Sequence, residues 1–240
     1  MCTLAFAWQA FDEAPLVVGA NRDEAVGRPS SPPAVRGANP EVLMPRDEDA
    51  GGTWIGVNEH RVFVGVTNRR VDLEGERSRG LLVTDALAAG SADDAIEVVE
   101  REVADRAYAG FNLVVADENE CVLVEWDGVL RTHAFDPGTH VVVNAGFDDG
   151  TEKSTAIRDA LRGHDSAAAW RDAAREALAD HETDACVHRD GFGTRSSSLV
   201  TVRADGGVRY EFADGPPCET EYRDVDAALP RGEQRGDGQL

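Results

Sequence analysis

The chain is almost without lysine: Lys153 is the only one among 24 basic residues, and the rest are arginine. No apolar run approaches the roughly 18 residues needed to cross a bilayer, and no basic segment followed by an apolar one marks a secretory leader. No stripe of basic residues is evident, which argues against nucleic acid as a partner. Cysteine is scarce as well. Cys2, Cys121, Cys186 and Cys218 are the four, and they form neither a CxxC pair nor a dense framework. A zinc ribbon and a disulfide scaffold are therefore not signalled, and a reducing, cytoplasmic setting fits best. The six histidines are scattered without an i, i+4 pair, so no metal site is expected and no cofactor is called for. There is no Gly-x-Ser-x-Gly elbow, so Ser196, Ser197 and Ser198 read as strand-edge residues and not nucleophiles.

What the chain has in excess is acid. Forty-five acidic residues against 24 basic ones give a net charge of −21. The acids are spread along the whole length, which reads as a solvated acidic surface that maintains solubility. Combined with the missing lysines, it points to a halophilic source whose salty cytoplasm screens long-range charge effects. With 42% hydrophobic residues in 240, the chain can build one substantial domain. We place that domain over 1–229 and a disordered tail over 230–240.

The pattern along the chain is strands, then helices, then strands. Thr3–Trp8 and Leu16–Ala20 read as strands, with Asn21–Glu24 as a polar cluster at a strand end. Residues 27–50, rich in Pro, Gly and Arg, read as a long loop. Thr53–Val57 and Arg61–Thr67 read as a hairpin turning at 58–60. Ser78 and Ser91 are N-cap candidates for two helices, the first ending at Gly90. Further strands are expected at Phe111–Ala116, Cys121–Trp126, Val129–His133 and His140–Asn144. Helices are expected over 151–162 and 165–180, then a last hairpin from Ser197–Arg203 and Val208–Ala213. The fold class is α+β, with a pair of sheets covered by helices on their outer faces.

The position that carries most chemical information is Cys2. A small residue behind the initiator generally lets an aminopeptidase remove Met1. One residue would then hold a thiol nucleophile and a free α-amine, whose reference pKa of about 7.7–8.0 suits a general base. The competing reading is a small hydrophobe that starts a strand. A nucleophilic cysteine needs a carboxylate to orient its amine, amide donors for an oxyanion and a guanidinium to lower the thiol pKa. The Asn21-Arg22-Asp23-Glu24 cluster, Asn68, Asn144 and Arg195 all sit at ends or edges of apolar strands and are candidates. Each taken singly also reads as a turn or cap. Trp54 reads as core or as the lining of a pocket entrance. Arg69, Arg70, Arg77 and Arg79 form a loop cluster that reads as solvated charge or as an anion site.

Several motifs occur in one order: Met1-Cys2-Thr3, Asn21-Arg22-Asp23-Glu24 with Arg28-Pro29, Gly51-Gly52-Thr53-Trp54, Thr67-Asn68-Arg69, Ser78-Arg79-Gly80, Gly110-Phe111-Asn112-Leu113 and Gly193-Thr194-Arg195-Ser196-Ser197. In this the sequence resembles the NRDE family, also called the transport and Golgi organisation protein 2 family. More distantly it resembles the penicillin V acylases and bile-salt hydrolases of the N-terminal-nucleophile hydrolase superfamily. The resemblance implies a four-layer αββα sandwich of two antiparallel sheets. It also implies Cys2 as nucleophile and, through its amine, as base. Asp23 matches the carboxylate that orients the amine, Asn68 and Asn144 match the oxyanion and amine-contacting amides, and Arg195 matches the arginine near the nucleophile. Arg22 has no counterpart in those hydrolases, which place an arginine where this chain has Ala20; it joins Trp54 and Arg69 as a candidate for substrate binding. The activity implied is hydrolysis of an amide, or a thioester, in a small acylated molecule. The alternative is a protein that binds and moves a hydrophobic ligand such as haem or an acyl-CoA, and a purely structural or trafficking role is a third class.

Overall fold

The computed structural model describes residues 2–230. The expected loss of Met1 falls outside them, as does the expected disordered tail apart from Pro230. Among the described residues, fifteen strands and four α-helices follow in chain order: β1 (Thr3–Phe11), β2 (Ala14–Ala25), β3 (Ser30–Arg36), β4 (Val42–Asp47), β5 (Ile55–Asn58), β6 (Phe63–Asn68), α1 (Arg79–Ala86), α2 (Ala92–Asp105), β7 (Phe111–Ala116), β8 (Cys121–Trp126), β9 (Leu130–Ala134), β10 (Gly138–Val143), β11 (Gly146–Phe147), α3 (Glu152–Leu161), α4 (Ala167–Ala179), β12 (His188–Arg189), β13 (Phe192–Val202), β14 (Val208–Ala213) and β15 (Arg223–Asp224).

They form two antiparallel sheets. One runs β11-β10-β1-β2-β13-β14-β15 with β12 beside β13, and the other runs β3-β4-β5-β6-β7-β8-β9. Alternation along each strand gives every sheet two apolar faces, and three core layers result. Phe6, Val18, Leu43, Phe63, Leu123 and Val200 pack between the sheets. Val64, Leu113 and Val115 meet Leu82, Val83 and Val99 of α1 and α2 on one outside. Ala5, Val17 and Val141 meet Ile157, Trp170 and Leu178 of α3 and α4 on the other. This is the αββα sandwich, and no helix among the described residues is long and apolar enough to cross a membrane.

Helix starts fall where the sequence places them. Ser78, Ser91, Thr151 and Ser166 each accept a hydrogen bond from a backbone N–H of the following turn, a cap worth about 1 kcal/mol. The first helix is shorter than expected and stops at Ala86. Two strand expectations need larger corrections. The supposed loop over 27–50 contains β3 and β4. Pro32 and Pro33 are tolerated because β3 is the outermost strand and its register with β4 slips between Ser31 and Ala34, so the missing N–H groups interrupt no interior ladder. The Asn21-Arg22-Asp23-Glu24 cluster is not at a strand end; it lies within β2, and Asn21, Arg22 and Asp23 are buried. Its partner β13 likewise extends back through Thr194 and Arg195.

Candidate active site

Cys2 precedes β1, an interior strand of its sheet. Thr3 pairs with Asn21 on β2 and with Val143 on β10, so the same registers carry Cys2 to the level of Arg22 on one side and Asn144 on the other. Its sulfur lies 3.9 Å from the Asp23 carbonyl oxygen. Cys2 opens on a cavity of about 100 Å³, whose wall includes Arg22, Asp23, Trp54, Asn68 and Arg79. The first two residues come from the Cys2 sheet, and Asn68 and Trp54 from the facing sheet and the loop before β5.

The wall is held by ion pairs and hydrogen bonds that run across the sandwich. The Arg22 guanidinium stacks over the Trp54 ring, its Cζ 4.2 Å from the centroid. It also donates from Nη2 to Asp47 Oδ2 at 2.8 Å. Arg28 donates to the same carboxylate through Nε at 2.6 Å and Nη2 at 3.2 Å. Thr194 Oγ1 donates to Asp23 Oδ1 at 2.6 Å and accepts from the Val187 N–H. The register explains this contact, because Thr194 is the β13 partner of Asp23 and the bulge that follows it displaces Arg195. Asn144 donates a short hydrogen bond from Nδ2 to the Asn68 carbonyl, and Asn112 donates from Nδ2 to the Val143 carbonyl at 2.9 Å. These two amides tie the facing sheets together beside the cavity. Asn144 Oδ1 is buried with no hydrogen-bond partner among the described residues.

Burial dominates the electrostatics. It pushes the Cys2 thiol above its ordinary pKa, the Asp23 charge adds to this, and Arg22 opposes it. Burial also raises Asp23, against the Thr194 hydrogen bond. Arg79 is lowered by burial and supported by Cys2 and Glu24. Lys153, the single lysine, is lowered by burial and raised in turn by Asp23, Asp184 and Cys2; it donates to the Asp184 carbonyl at 2.6 Å. A thiol in this setting needs a base to ionise it.

The structure thus brings Cys2, Arg22, Asp23, Trp54 and Asn68 to one cavity and sets Asn144 directly behind Asn68. It does not bring Arg69 there: that side chain is bound by Glu125, Asp127 and Asn112. Arg195 is half-buried on the bulge of β13 and is not part of the wall, and its Nε has no hydrogen-bond partner among the described residues. The arginine loop cluster divides. Arg77 binds Asp85, Glu102 and Tyr108, whereas Arg79 enters the cavity wall and donates to the Gly110 carbonyl. Asp47 and Thr194 have no candidate role in the sequence reading, and Arg79 figures there only as one of a cluster of loop arginines. The signal for Arg79 was its place directly after the Ser78 cap, which fixes its direction at the start of α1. Gly52 allows α1 to sit so close: a Cβ there would lie 2.2 Å from the Gly80 carbonyl carbon. One grouping runs against the expectation drawn from spacing alone. His181, Cys186, His188 and Cys218, which have no metal-ligand spacing in sequence, converge in space with one ligand atom each within 4.8 Å of the others.

A family model described as Transport and Golgi organisation 2 matches residues 1–183. The Transport and Golgi organization protein 2 homolog of Bos taurus is 28% identical over 259 residues, spanning 88% of this chain and 91% of that protein. The Homo sapiens homolog is 27% identical over 261 residues, again spanning 88% and 91%. Among solved structures, a Caenorhabditis elegans ortholog of N-acylethanolamine-hydrolyzing acid amidase is similar with a TM-score of 0.60 at 14% identity, covering 82% of this chain and 92% of that one. A mutant conjugated bile acid hydrolase from Clostridium perfringens gives a TM-score of 0.52 at 13% identity, covering 94% and 97%. At these identities the structural likeness is one of fold, that of the N-terminal-nucleophile hydrolases.

Proposed function

Because the chain belongs to the transport and Golgi organisation 2 family and sets Cys2 in a small charged cavity, we propose that it is a cysteine amidohydrolase of the N-terminal-nucleophile type. The observation that carries this reading is the cavity itself. It holds about 100 Å³ and is walled by Arg22, Asp23, Glu24, Arg28, Asp47 and Arg79 around one sulfur. Sites that engulf a drug-sized ligand usually enclose about 300–1,000 Å³ with apolar walls. A carrier that engulfs haem or an acyl chain would need such a site, whereas a scissile amide can sit against the sulfur in the smaller one with the acyl group extending out of its open mouth.

The reaction follows from the residues. With Met1 removed, the Cys2 amine takes the thiol proton and the thiolate attacks the amide carbon. Asn68 donates to the oxyanion. Asp23 and Asn144 Oδ1, which has no hydrogen-bond partner among the described residues, orient the ammonium, and Arg22 and Arg79 favour the thiolate. Collapse of the tetrahedral adduct breaks the C–N bond, and the ammonium proton leaves with the amine. Water then hydrolyses the thioester, returning the thiol and releasing the acid. The structural neighbours, by their names, act on N-acylethanolamines and conjugated bile acids. The substrate class proposed is therefore an acyl group joined by an amide to a small polar amine.

Intact mass and turnover on a panel of such amides and matching thioesters test this. We expect a chain lacking Met1 and a loss of at least about 10³-fold in kcat for Cys2→Ala. A retained Met1, or unchanged turnover in Cys2→Ala, overturns the reading. Binding of haem with a Soret shift, or of acyl-CoA, without turnover of any amide would favour the carrier instead.

A further inference from the structure

Behind the cavity, on the far side of Thr194, lies a second cluster that the proposed reaction does not use. α4 ends at Ala179 and the chain turns through 180–187 before β12. That turn carries His181 and Cys186, β12 carries His188, and Cys218 arrives from the segment after β14. The Cys186 and Cys218 sulfurs are 3.4 Å apart. His188 Nε2 lies 3.7 Å from the first sulfur and 3.1 Å from the second. The His181 ring stands 5.2 Å from that of His188, and its Nδ1 is 3.1 Å from the Cys186 carbonyl oxygen.

From this geometry we propose that His181, Cys186, His188 and Cys218 bind one zinc ion. Zinc bonds of about 2.3 Å to sulfur and about 2.0–2.1 Å to nitrogen imply tetrahedral edges of about 3.8 Å between sulfurs and about 3.6 Å from sulfur to nitrogen. The separations among Cys186, Cys218 and His188 lie within about 0.5 Å of these edges. The four ligand atoms together span up to 4.8 Å, so a short inward turn of the His181 ring completes a two-sulfur, two-nitrogen tetrahedron of the kind that suits zinc. Donation from His181 Nδ1–H to the Cys186 carbonyl leaves the lone pair on the other ring nitrogen, the second-shell arrangement that orients metal-bound imidazoles. Binding takes one proton from each thiol and releases both to solvent.

The site acts as a clamp on the proposed catalytic carboxylate. Between Cys186 and His188, Val187 donates to Thr194 Oγ1 at 2.9 Å and accepts from Thr194 N–H at 2.8 Å. Thr194 in turn holds Asp23. Asn21 Nδ2 donates to the Ala185 carbonyl on the same turn. A Cβ on Gly193 would come within 2.6 Å of the Val187 carbonyl oxygen, so the turn lies flush against β13. Fixing the four ligands therefore fixes the backbone from which Asp23 is positioned, whether or not the cavity proves catalytic.

Metal analysis of the reduced full-length protein, purified and reconstituted with zinc, tests the proposal independently of turnover. We expect close to one zinc per chain. Cobalt substitution should give thiolate-to-metal charge-transfer bands in the near ultraviolet and d–d bands of tetrahedral intensity. Cys218→Ser and His188→Gln should each weaken zinc binding by more than the roughly 10–100-fold typical of an outer-shell partner, and His60→Gln should leave it unchanged. Zinc at saturating concentration should raise the wild-type Tm by about 5–10 °C and leave Cys218→Ser unmoved. Should either variant fail to fold, the cobalt spectrum of the wild-type protein decides alone. Negligible zinc with no charge-transfer band overturns the proposal. So does a Cys186–Cys218 disulfide that persists under the reducing conditions used.

Discussion

Replacing Asp47 with asparagine removes one negative charge from between two guanidinium groups while keeping the shape of the side chain. In the native protein Asp47 accepts from Arg22 at 2.8 Å, from Arg28 at 2.6 and 3.2 Å, and from the Ala50 N–H at 2.9 Å. Burial alone would raise its pKa; hydrogen bonds from Arg28 and Ala50 outweigh that and hold it below the ordinary carboxylate range. The amide of the variant could still accept through its one oxygen, but its NH2 would face a donor. Removing one partner of a buried pair costs about 3–5 kcal/mol. Arg28 is a third exposed and water would take up part of its loss, so we expect about 2–3 kcal/mol for Asp47→Asn. At about 2–4 °C per kcal/mol for a chain of this length, the Tm should fall by about 4–12 °C near neutral pH. The sign with pH follows from the lowered carboxyl. Its contribution is complete above the unfolded value of about 3.9 and is lost as pH falls through the lower folded value. The Tm gap between variant and wild type should therefore close in strong acid. A second readout lies in the cavity: with position 47 neutral, the Arg22 charge acts undiluted on Cys2, and the alkylation midpoint of the thiol should move to lower pH. A Tm change below about 1 °C, or a midpoint that moves upward, would refute the reasoning.

Other perturbations have equally definite outcomes. Thr194→Val removes the hydrogen bond that favours ionised Asp23, so the acid limb of any Cys2-dependent turnover should shift to higher pH, with a stability cost of about 1–3 kcal/mol visible in urea melts. Gly52→Ala places a methyl group against the Gly80 backbone and should cost at least about 1–3 kcal/mol; a calorimetric Tm equal to wild type would contradict the close approach. Asn58 donates from its side chain to the Leu87 and Ala89 carbonyls and accepts from the His60 and Val62 N–H groups. Asn58→Ala should therefore lose about 3–5 kcal/mol in equilibrium unfolding, while Asn58→Asp should recover only the two accepted bonds.

Where apolar alternation or a cap residue marked an element, the sequence was readable. Phe111–Ala116 and Cys121–Trp126 are strands residue for residue, and Ser91 caps α2 as expected. Asn21, Arg22 and Asp23 defeated the same logic. Buried polar residues inside a strand look like a strand end, because their satisfaction comes from partners such as Leu178, Ala185, Asp47 and Thr194 that are remote in sequence. Position and strand-end placement pointed to Cys2, the Asn21–Glu24 cluster and Asn68, and the family motifs gave them roles, but neither supplied the ion pair that braces Arg22. Arg69 shows the limit in the other direction: its motif position is shared, yet local acids Glu125 and Asp127 claim its charge. The His181, Cys186, His188 and Cys218 cluster was illegible because its last ligand comes from a segment beyond two further strands.

The place of β1 between β2 and β10 has a consequence for synthesis. β1 leaves the ribosome before β10, and it cannot gain that second neighbour until residue 143 has been made. At about 5–20 residues per second, that interval lasts about 7–30 s. Thr194, which holds Asp23, emerges later still. β1 therefore stays paired on one side only while more than half of the polypeptide is being translated, and Cys2 is enclosed only when β10 arrives. The sheet order sets the sequence of assembly: enclosure of the thiol first, and fixation of its carboxylate last.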